Sequence, residues 1–131
     1  MTANAFCSLS LHPPLVLVCI QNGVSMHPFF EVAESFGVNV LASDQKPVSE
    51  LFAQHGEHSA PMGGAPYHLG SLGAPILGGV MGWAQCRVEA RYPGGDHLIV
   101  IGRVEEISTD RPEAEPLLFY SGKYRTIGEI L

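Results

Sequence analysis

The sequence is poor in charged residues, and basic residues are the rarer kind. Lys and Arg number 7 in 131 residues, against 13 Asp and Glu, so the formal net charge is −6 at pH 7. Because these few cations are not clustered, the chain lacks the basic surface with which proteins bind nucleic-acid phosphates. Charged residues make up 15% of the chain, against ~25% in typical soluble domains. So uncharged a surface indicates that part of it is buried in a homo-oligomer.

Long hydrophobic runs and paired cysteines are also missing. The longest apolar runs, 15–20 and 98–101, are far shorter than the ~18 residues of a membrane span. No Lys or Arg precedes Lys46, so the N-terminus lacks the charged start of a signal peptide. The three cysteines are Cys7, Cys19 and Cys86. Their odd number and spacing match neither a disulfide framework nor a zinc knuckle, which favours a reduced, cytoplasmic protein.

Apolar and turn-forming residues predict a single domain, 1–131, of mostly β structure. Strands are predicted at 15–20, 38–41, 83–92, 97–107 and 117–127. In the third of these, apolar and charged residues alternate strictly from Cys86 to Tyr92, and a turn at 93–96 joins it to the fourth as a hairpin. The last strand contains a tight turn at Ser121–Gly122. We expect these strands to form a barrel.

Two short helices are predicted before the hairpin. One begins with the hydroxyl of Ser25 as its N-cap and closes at Gly37, and the other begins with Asp44 as its cap and ends before Gly56. The segment 56–79 that follows is rich in Gly and Pro and reads as a loop. A loop of this length often covers a site.

Two residues have a position suited to ligand binding. Ser25 lies at a predicted helix start, where a hydroxyl and free amides can bind a phosphate, although most such serines are ordinary caps. His97 follows a tight turn beside Asp96 and could donate a hydrogen bond to a cofactor, although most such histidines are merely exposed. On position alone, the ordinary interpretation is favoured for both.

Other candidate motifs are weaker. A possible metal cluster in or beside the long loop comprises His55, Glu57, His58 and His68. Its spacing matches neither a helical zinc motif nor a zinc finger, so a solvated loop is the better interpretation. The glycine pairs Gly63–Gly64 and Gly94–Gly95 lie in neither a Rossmann nor a P-loop motif.

Four segments together resemble one family. They are TANAFCSLSLHPPLVLVC (2–19), FGVNVLASDQ (36–45), GAPILGGVMGWAQCRVEARYPGGDHLIVIGRVEEI (73–107) and PLLFYSGKY (116–124). In order and spacing they resemble the flavin reductase-like domain, the reductase partner of two-component flavin-dependent monooxygenases. The resemblance covers nearly all of the 131 residues. It implies an FMN-binding split β-barrel with two short inserted helices.

The resemblance also implies an activity. The protein would bind FMN or FAD, pass a hydride to it from NADH or NADPH, and supply the reduced flavin to a separate monooxygenase. It would be a homodimer with each flavin site near the subunit interface. An alternative is a flavin-binding electron carrier without nicotinamide turnover, and a third possibility is an inactive barrel fragment that only dimerises.

Residue by residue, the resemblance implies a site for each nucleotide. The flavin ring would be wrapped by Thr2, Ala3, Asn4, Ala5, Ser8 and Ser10. The strand ending at Cys19 would run beneath the ring, and Ser25 would contact the flavin phosphate. His97 would act near the flavin and the nicotinamide as an orienting, charge-stabilising group, and Tyr120 would frame the nicotinamide pocket.

The chain departs from the family pattern at several points. Ala5 stands where the family usually has Ser, and Gln21 to Val24 replace a segment that often carries Arg. Ser121 and Lys123 stand in places that are often basic. Family members usually have a few dozen residues before the position of Thr2, so we expect the functional protein to be longer. A barrel without those strands would expose an edge with unpaired backbone groups.

Overall fold

The computed structural model describes residues 1–54, 56 and 60–128. In that part of the chain the strands are β1 (Phe6–Leu11), β2 (Pro14–Gln21), β3 (Ser35–Val40), β4 (Tyr67–Leu69), β5 (Pro75–Leu77), β6 (Gly82–Gly94), β7 (His97–Thr109), β8 (Leu118–Tyr120) and β9 (Lys123–Arg125). The helices are α1 (His27–Val32) and α2 (Lys46–Ala53), with 3₁₀ turns at Ser43–Gln45 and Pro61–Gly64. The mostly β architecture with two short helices is thus confirmed. None of the described helices is long and apolar enough to cross a bilayer.

The main sheet is antiparallel and has five strands in the order β1-β2-β7-β6-β3. β6 and β7 form the predicted hairpin, whose two-residue turn is Gly95–Asp96. Two further hairpins, β4–β5 and β8–β9, are hydrogen-bonded as separate two-stranded sheets. Closure of these pieces into a split barrel stays a prediction.

The core lies on one face of the main sheet. Its buried side chains are Val18, Ile20, Phe36, Cys86 and Val100. We call the face that carries Val18, Ile20 and Val100 the core face. α1 covers part of it, since the Phe30 ring meets the Phe36 ring at a centroid distance of 5.9 Å. The face that carries Leu17, Cys19, Ile99 and Ile101 we call the opposite face, because alternate residues of a strand point to opposite sides.

The first predicted helix is too long. α1 ends at Val32, and Ser35, Phe36 and Gly37 belong to β3, where they pair with Arg87, Cys86 and Gln85 of β6. Burial of the Phe36 ring in the core outweighs the helical pattern of the preceding residues. The predicted helix caps are also wrong. The residues that precede α1 and α2 are Met26 and Gln45, and neither helix start has a side-chain cap.

The strict alternation predicted for β6 is also wrong. The pairing with β7 shifts between Gln85 and Cys86 and again between Val88 and Ala90. As a result Gln85 and Cys86 are both buried, while Tyr92 is 53% exposed. Arg91 pairs with Val100 and so lies on the core face. From there its guanidinium donates hydrogen bonds to the carbonyl oxygens of Phe30, at 2.7 Å, and Ala33.

The predicted loop 56–79 contains the β4–β5 hairpin and is tied to the main sheet by two amide side chains. Gln85, which is fully buried, accepts a hydrogen bond from Leu72 N at 3.0 Å and donates one to Ala74 O at 2.9 Å. Asn39 accepts one from Leu77 N at 2.9 Å and donates one to Pro75 O at 3.1 Å. In the described part of this segment, β4 and β5 pair only with each other, so the side chains of β6 and β3 supply hydrogen bonds that join the segment to the main sheet.

The two hydrogen bonds of Gln85 predict a large loss of unfolding free energy in Gln85→Leu. The substitution keeps the side-chain size but leaves Leu72 N without a partner, while Ala74 O keeps only the hydrogen bond from Gly70 N. A buried polar group that loses its partner costs about 1–3 kcal/mol of unfolding free energy. Urea unfolding followed by circular dichroism measures this change. The matched control is Gln54→Leu at an exposed position, expected to change stability by less than ~0.5 kcal/mol. Equal stability of the two variants would contradict the assignment.

Candidate functional site

Two of the predicted site residues lie at one end of the main sheet. His97 opens β7 and pairs with Gln21, the last residue of β2. Beyond this pair, Asn22 N donates a hydrogen bond of 2.8 Å to Asp96 O in the hairpin turn. Ser25 follows three residues after Asn22. The turn after β2 and the turn before β7 are therefore held side by side.

His97 is oriented by its neighbour Asp96. The distance from His97 Nδ1 to Asp96 Oδ1 is 2.7 Å, with side-chain exposures of 37% and 84%. This hydrogen bond, followed by the charge of the imidazolium, lowers the pKa of Asp96 below its usual range. A proton on Nδ1 satisfies the carboxylate. Within the described part of the chain Nε2 makes no hydrogen bond, so it is free to meet a ligand.

Cys19 and His97 share the opposite face of the sheet. Gln21 pairs with His97 and Cys19 with Ile99, and residues that pair across an antiparallel ladder point to the same side. Ala5 lies against the same strand, because Cys19 N donates a hydrogen bond of 2.9 Å to Ala5 O. Cys19 is half-buried, and Ala5 is exposed.

The segment from Ala3 to Ala5 presents unused hydrogen-bond donors. These residues are exposed, and among the described residues their backbone N–H groups have no partner. Thr2 is anchored instead, since its N–H donates to Phe52 O at 2.9 Å. A flavin ring carries several nitrogen and oxygen acceptors along one edge. A short run of free N–H groups beside Cys19 fits such a ring.

The two predicted serines of β1 do not lie together. Ser8 pairs with Val16 but Ser10 pairs with Leu15, because the register shifts between them. Since Val16 and Leu15 point to opposite sides of β2, Ser8 lies on the core-face side and Ser10 on the side of Cys19. Simple alternation would have placed both serines on one side. Only Ser10 shares a face with Cys19 and His97.

Ser25 lies in the turn before α1 and does not cap that helix. Its side chain is exposed and makes no hydrogen bond within the described residues, and the N–H groups of Ser25 and Met26 have no partner there either. His27 N is already used, since it donates to Val24 O at 3.0 Å. A hydroxyl and two adjacent N–H groups leave this turn able to bind an anion.

Ser49 of helix α2 binds one residue near each end of the described chain, Thr2 and Tyr124. Thr2 Oγ1 donates a hydrogen bond of 2.6 Å to Ser49 O, and Tyr124 Oη donates one of 3.1 Å to Ser49 Oγ. Ser49 is 3% exposed. It was not among the residues predicted from the sequence, although its helical spacing from Gln45 and Phe52 places it on the inner side of α2.

The remaining candidates lie elsewhere. Tyr120 ends β8, outside the main sheet, and is 73% exposed. In the possible metal cluster, His68 is exposed on β4. The other three members, His55, Glu57 and His58, lie outside the described residues.

The chain matches the flavin reductase like domain over residues 1–128. This chain belongs to that family. It is 40% identical over 127 residues to the NADH-dependent flavin reductase of a Rhodococcus species, covering 97% of this chain and 69% of the relative. It is 39% identical over 127 residues to the reductase component of 4-hydroxyphenylacetate 3-monooxygenase from Thermus thermophilus, covering 97% and 78%.

A solved member of the flavin reductase family has the same fold. The NADH:FAD oxidoreductase SgcE6 of Streptomyces globisporus superposes with a TM-score of 0.91 at 34% identity, covering 98% of this chain and 78% of that one. The family membership inferred from the four sequence segments is therefore confirmed.

The contact between His97 and Asp96 predicts how Asp96 titrates. Because the bond favours the carboxylate, the pKa of Asp96 lies below the ordinary ~3.9 of aspartate. The stabilisation from the bond is therefore complete above that ordinary value and is lost as the pH falls through the lowered pKa. NMR titration of the Asp96 carboxyl carbon measures it, and His97→Gln should raise the pKa towards ~3.9. Asp44, whose pKa is lowered by Arg111, is the internal control and should not change.

Proposed function

We propose that this protein is a flavin reductase that oxidises NADH and reduces FMN or FAD. The observation that supports it best is the run of free N–H groups at Ala3 to Ala5 beside Cys19, in a chain of the flavin reductase family. The Rhodococcus relative is named as NADH-dependent, and SgcE6 as an NADH:FAD oxidoreductase. NADH is therefore the first nicotinamide to test.

The flavin ring is proposed to lie along the opposite face, beside Cys19. Ala3, Asn4 and Ala5 would donate backbone N–H groups to its acceptors, and Ser10 would contribute a hydroxyl from the same side. The chemistry that a flavin supplies when bound is acceptance of a hydride from the nicotinamide. Thr2 would contribute by anchoring this segment on α2, and Ser8 would lie on the other side of β1.

The flavin phosphate is proposed to bind at Ser25. The exposed hydroxyl and the adjacent free N–H groups supply donors where many family members use Arg. Neutral donors bind a phosphate less strongly than a bidentate guanidinium. We therefore expect a weakly held flavin that exchanges with solution, which suits a reductase that releases its product.

His97 is proposed to act on the ring and the nicotinamide through Nε2. Asp96 holds the proton on Nδ1, so that Nε2 can accept a proton in the neutral imidazole and donate one in the imidazolium. A donor at this position would stabilise negative charge that develops on the reduced ring. Tyr120, an exposed aromatic, would form one wall of the nicotinamide pocket by stacking.

The reduced flavin is proposed to serve a separate monooxygenase, as the name of the Thermus relative indicates for that protein.

Two further proposals concern the location and the oligomeric state of the protein. A cytoplasmic location fits three free cysteines. A homodimer fits the opposite face, where Leu17, Ile99 and Ile101 are only half-buried. Because Cys19 and His97 lie on this face, each flavin would sit near the interface.

One observation favours a second function, a flavin carrier without nicotinamide turnover. Ala5 lacks the hydroxyl that most family members have at this position. One fewer donor to the central part of the ring would weaken charge stabilisation during reduction. This alternative predicts flavin binding without NADH oxidation.

The proposed activity predicts anaerobic oxidation of NADH, measured as loss of its absorbance, at a rate that saturates with FMN or FAD. His97→Ala should lower kcat/KM for NADH about 10- to 100-fold, since it removes the charge-stabilising donor. Flavin affinity, measured by fluorescence quenching, should change little. His68→Ala, at an exposed histidine of β4, is the matched control and should react like the wild type.

Three outcomes separate the possibilities. Flavin binding without any NADH oxidation would favour the carrier, and neither binding nor oxidation would favour an inactive barrel. An unchanged kcat/KM in His97→Ala, in an active protein, would exclude the proposed role of His97 while leaving the reductase activity in place.

The half-buried opposite face predicts a dimer in solution. Light scattering coupled to size-exclusion chromatography should give about twice the monomer mass of 14.1 kDa. Ile101→Lys places a charge on that face and should shift the protein towards monomer, because an unpaired charge is costly in an apolar interface. Ile127→Lys, at a side chain exposed near the end of the described residues, is the control. A wild-type protein that stays monomeric at high concentration would exclude the dimer.

A further inference from the structure

Among the described residues, hydrogen bonds attach the β8–β9 hairpin to the rest of the chain at two places. At its base, Leu117 N donates a hydrogen bond of 2.9 Å to Leu41 O, and Pro116 forms a β-bridge with Ala42. The second attachment is Tyr124 on β9, whose Oη donates to Ser49 Oγ at 3.1 Å. A hairpin held only at its base can pivot. The contact with Ser49 therefore decides where its far end lies.

The other contacts of Tyr124 are less directional than this hydrogen bond. Its ring meets Phe119 edge-on, with centroids 5.2 Å apart, inside the hairpin itself. Lys46 Nζ lies 5.6 Å above the ring, but this exposed ammonium is also 3.4 Å from Glu50. Ring contacts tolerate sliding, whereas a hydroxyl–hydroxyl bond requires a defined distance and angle. Because Ser49 is buried, its Oγ gives the Tyr124 hydroxyl a fixed bonding position.

A displacement of Tyr124 would be passed on to Tyr120. Tyr120 pairs with Lys123, and Phe119 with Tyr124, across the hairpin. The turn between them, Ser121–Gly122, has positive φ angles of 51° and 73°. Such a two-residue turn holds the strands in one register. The hairpin therefore moves as a unit.

We propose that Ser49 is a positioning residue for nicotinamide binding. Its hydroxyl holds Tyr124, and through the hairpin it places Tyr120 at the nicotinamide pocket. Its carbonyl oxygen holds Thr2, the start of the flavin-binding segment, so one residue of α2 relates the two nucleotide sites to each other. This inference rests on the proposed function, because it uses the roles proposed there for Tyr120 and for residues 2–5.

The proposal can be tested specifically because Ser49 binds Thr2 through its main-chain oxygen and Tyr124 through its side chain. Tyr124→Phe and Ser49→Ala remove only the bond to the hairpin, because the bond to Thr2 uses the main-chain oxygen. Both variants should raise KM for NADH about three- to tenfold, the loss expected for one hydrogen bond. The flavin affinity and the kcat should remain close to those of the wild type, and the melting temperature should fall by only a few degrees, as expected for one lost hydrogen bond. The double variant should be no worse than either single variant, since all three break the same bond.

A measurement without flavin or NADH tests the positioning directly. Amide hydrogen exchange of the flavin-free protein should become faster in β8 and β9 of both variants, while β6 and β7 keep their protection. Tyr67→Phe is the matched control. Its hydroxyl makes no hydrogen bond within the described residues, on the exposed strand β4, and the variant should match the wild type in KM and in exchange.

The outcomes distinguish this inference from the proposed function. A wild-type protein that oxidises no NADH with either flavin overturns the proposed function and the nicotinamide role of Ser49 with it. An active wild type whose variants keep the wild-type KM overturns the inference alone. A rise in KM with a parallel loss of flavin affinity and a fall in melting temperature larger than one hydrogen bond explains would assign Ser49 a merely structural role and overturn the inference as well. Additive effects in the double variant would do the same.

Discussion

The pairing of β7 with β2 on one side and β6 on the other is the constraint on which the rest of the molecule depends. Its register places Gln21, His97 and Gly94 in one row. With that row set, Val18 and Val100 point into the core, and Cys19 and His97 point to the opposite face. A slip of one residue in this register would exchange the two faces. The core and the proposed flavin site are thus determined by the same backbone hydrogen bonds.

Strand positions were predictable where pattern and turn chemistry agree. The run 15–20 between two prolines and Asn22–Gly23 lies within β2, and the glycine-rich turn at 93–96 does join two long strands. Family membership was also predictable, because four separate segments carried the resemblance in order. Apolar residues bounded by turn residues were enough to locate β2, β6 and β7, although alternation did not give the correct faces of β6.

The errors have physical causes that pattern reading does not include. Each register shift in β6 and β1 adds a residue to one strand only, so it reverses the side on which later residues lie. The faces of Arg91 and Tyr92 were predicted wrongly for this reason. Ser49 and Gln85 were missed because their hydrogen-bond partners are more than ten residues away in the sequence, and no local pattern encodes such contacts. Phe36 was assigned to a helix because its contact with the core is not visible in the neighbouring residues.

The short helix α1 has a consequence for how the site keeps its dimensions. A helix of six residues is not stable by itself in water. The guanidinium of Arg91 stabilises α1 by donating hydrogen bonds to Phe30 O, inside the helix, and to Ala33 O, just after it. Arg91 and His97 lie on the two strands of the same hairpin, close to its turn. The distance between the turn proposed to bind the phosphate and the imidazole proposed to contact the flavin ring is therefore set by one continuous stretch of backbone. A change in this distance would require the hairpin itself to deform.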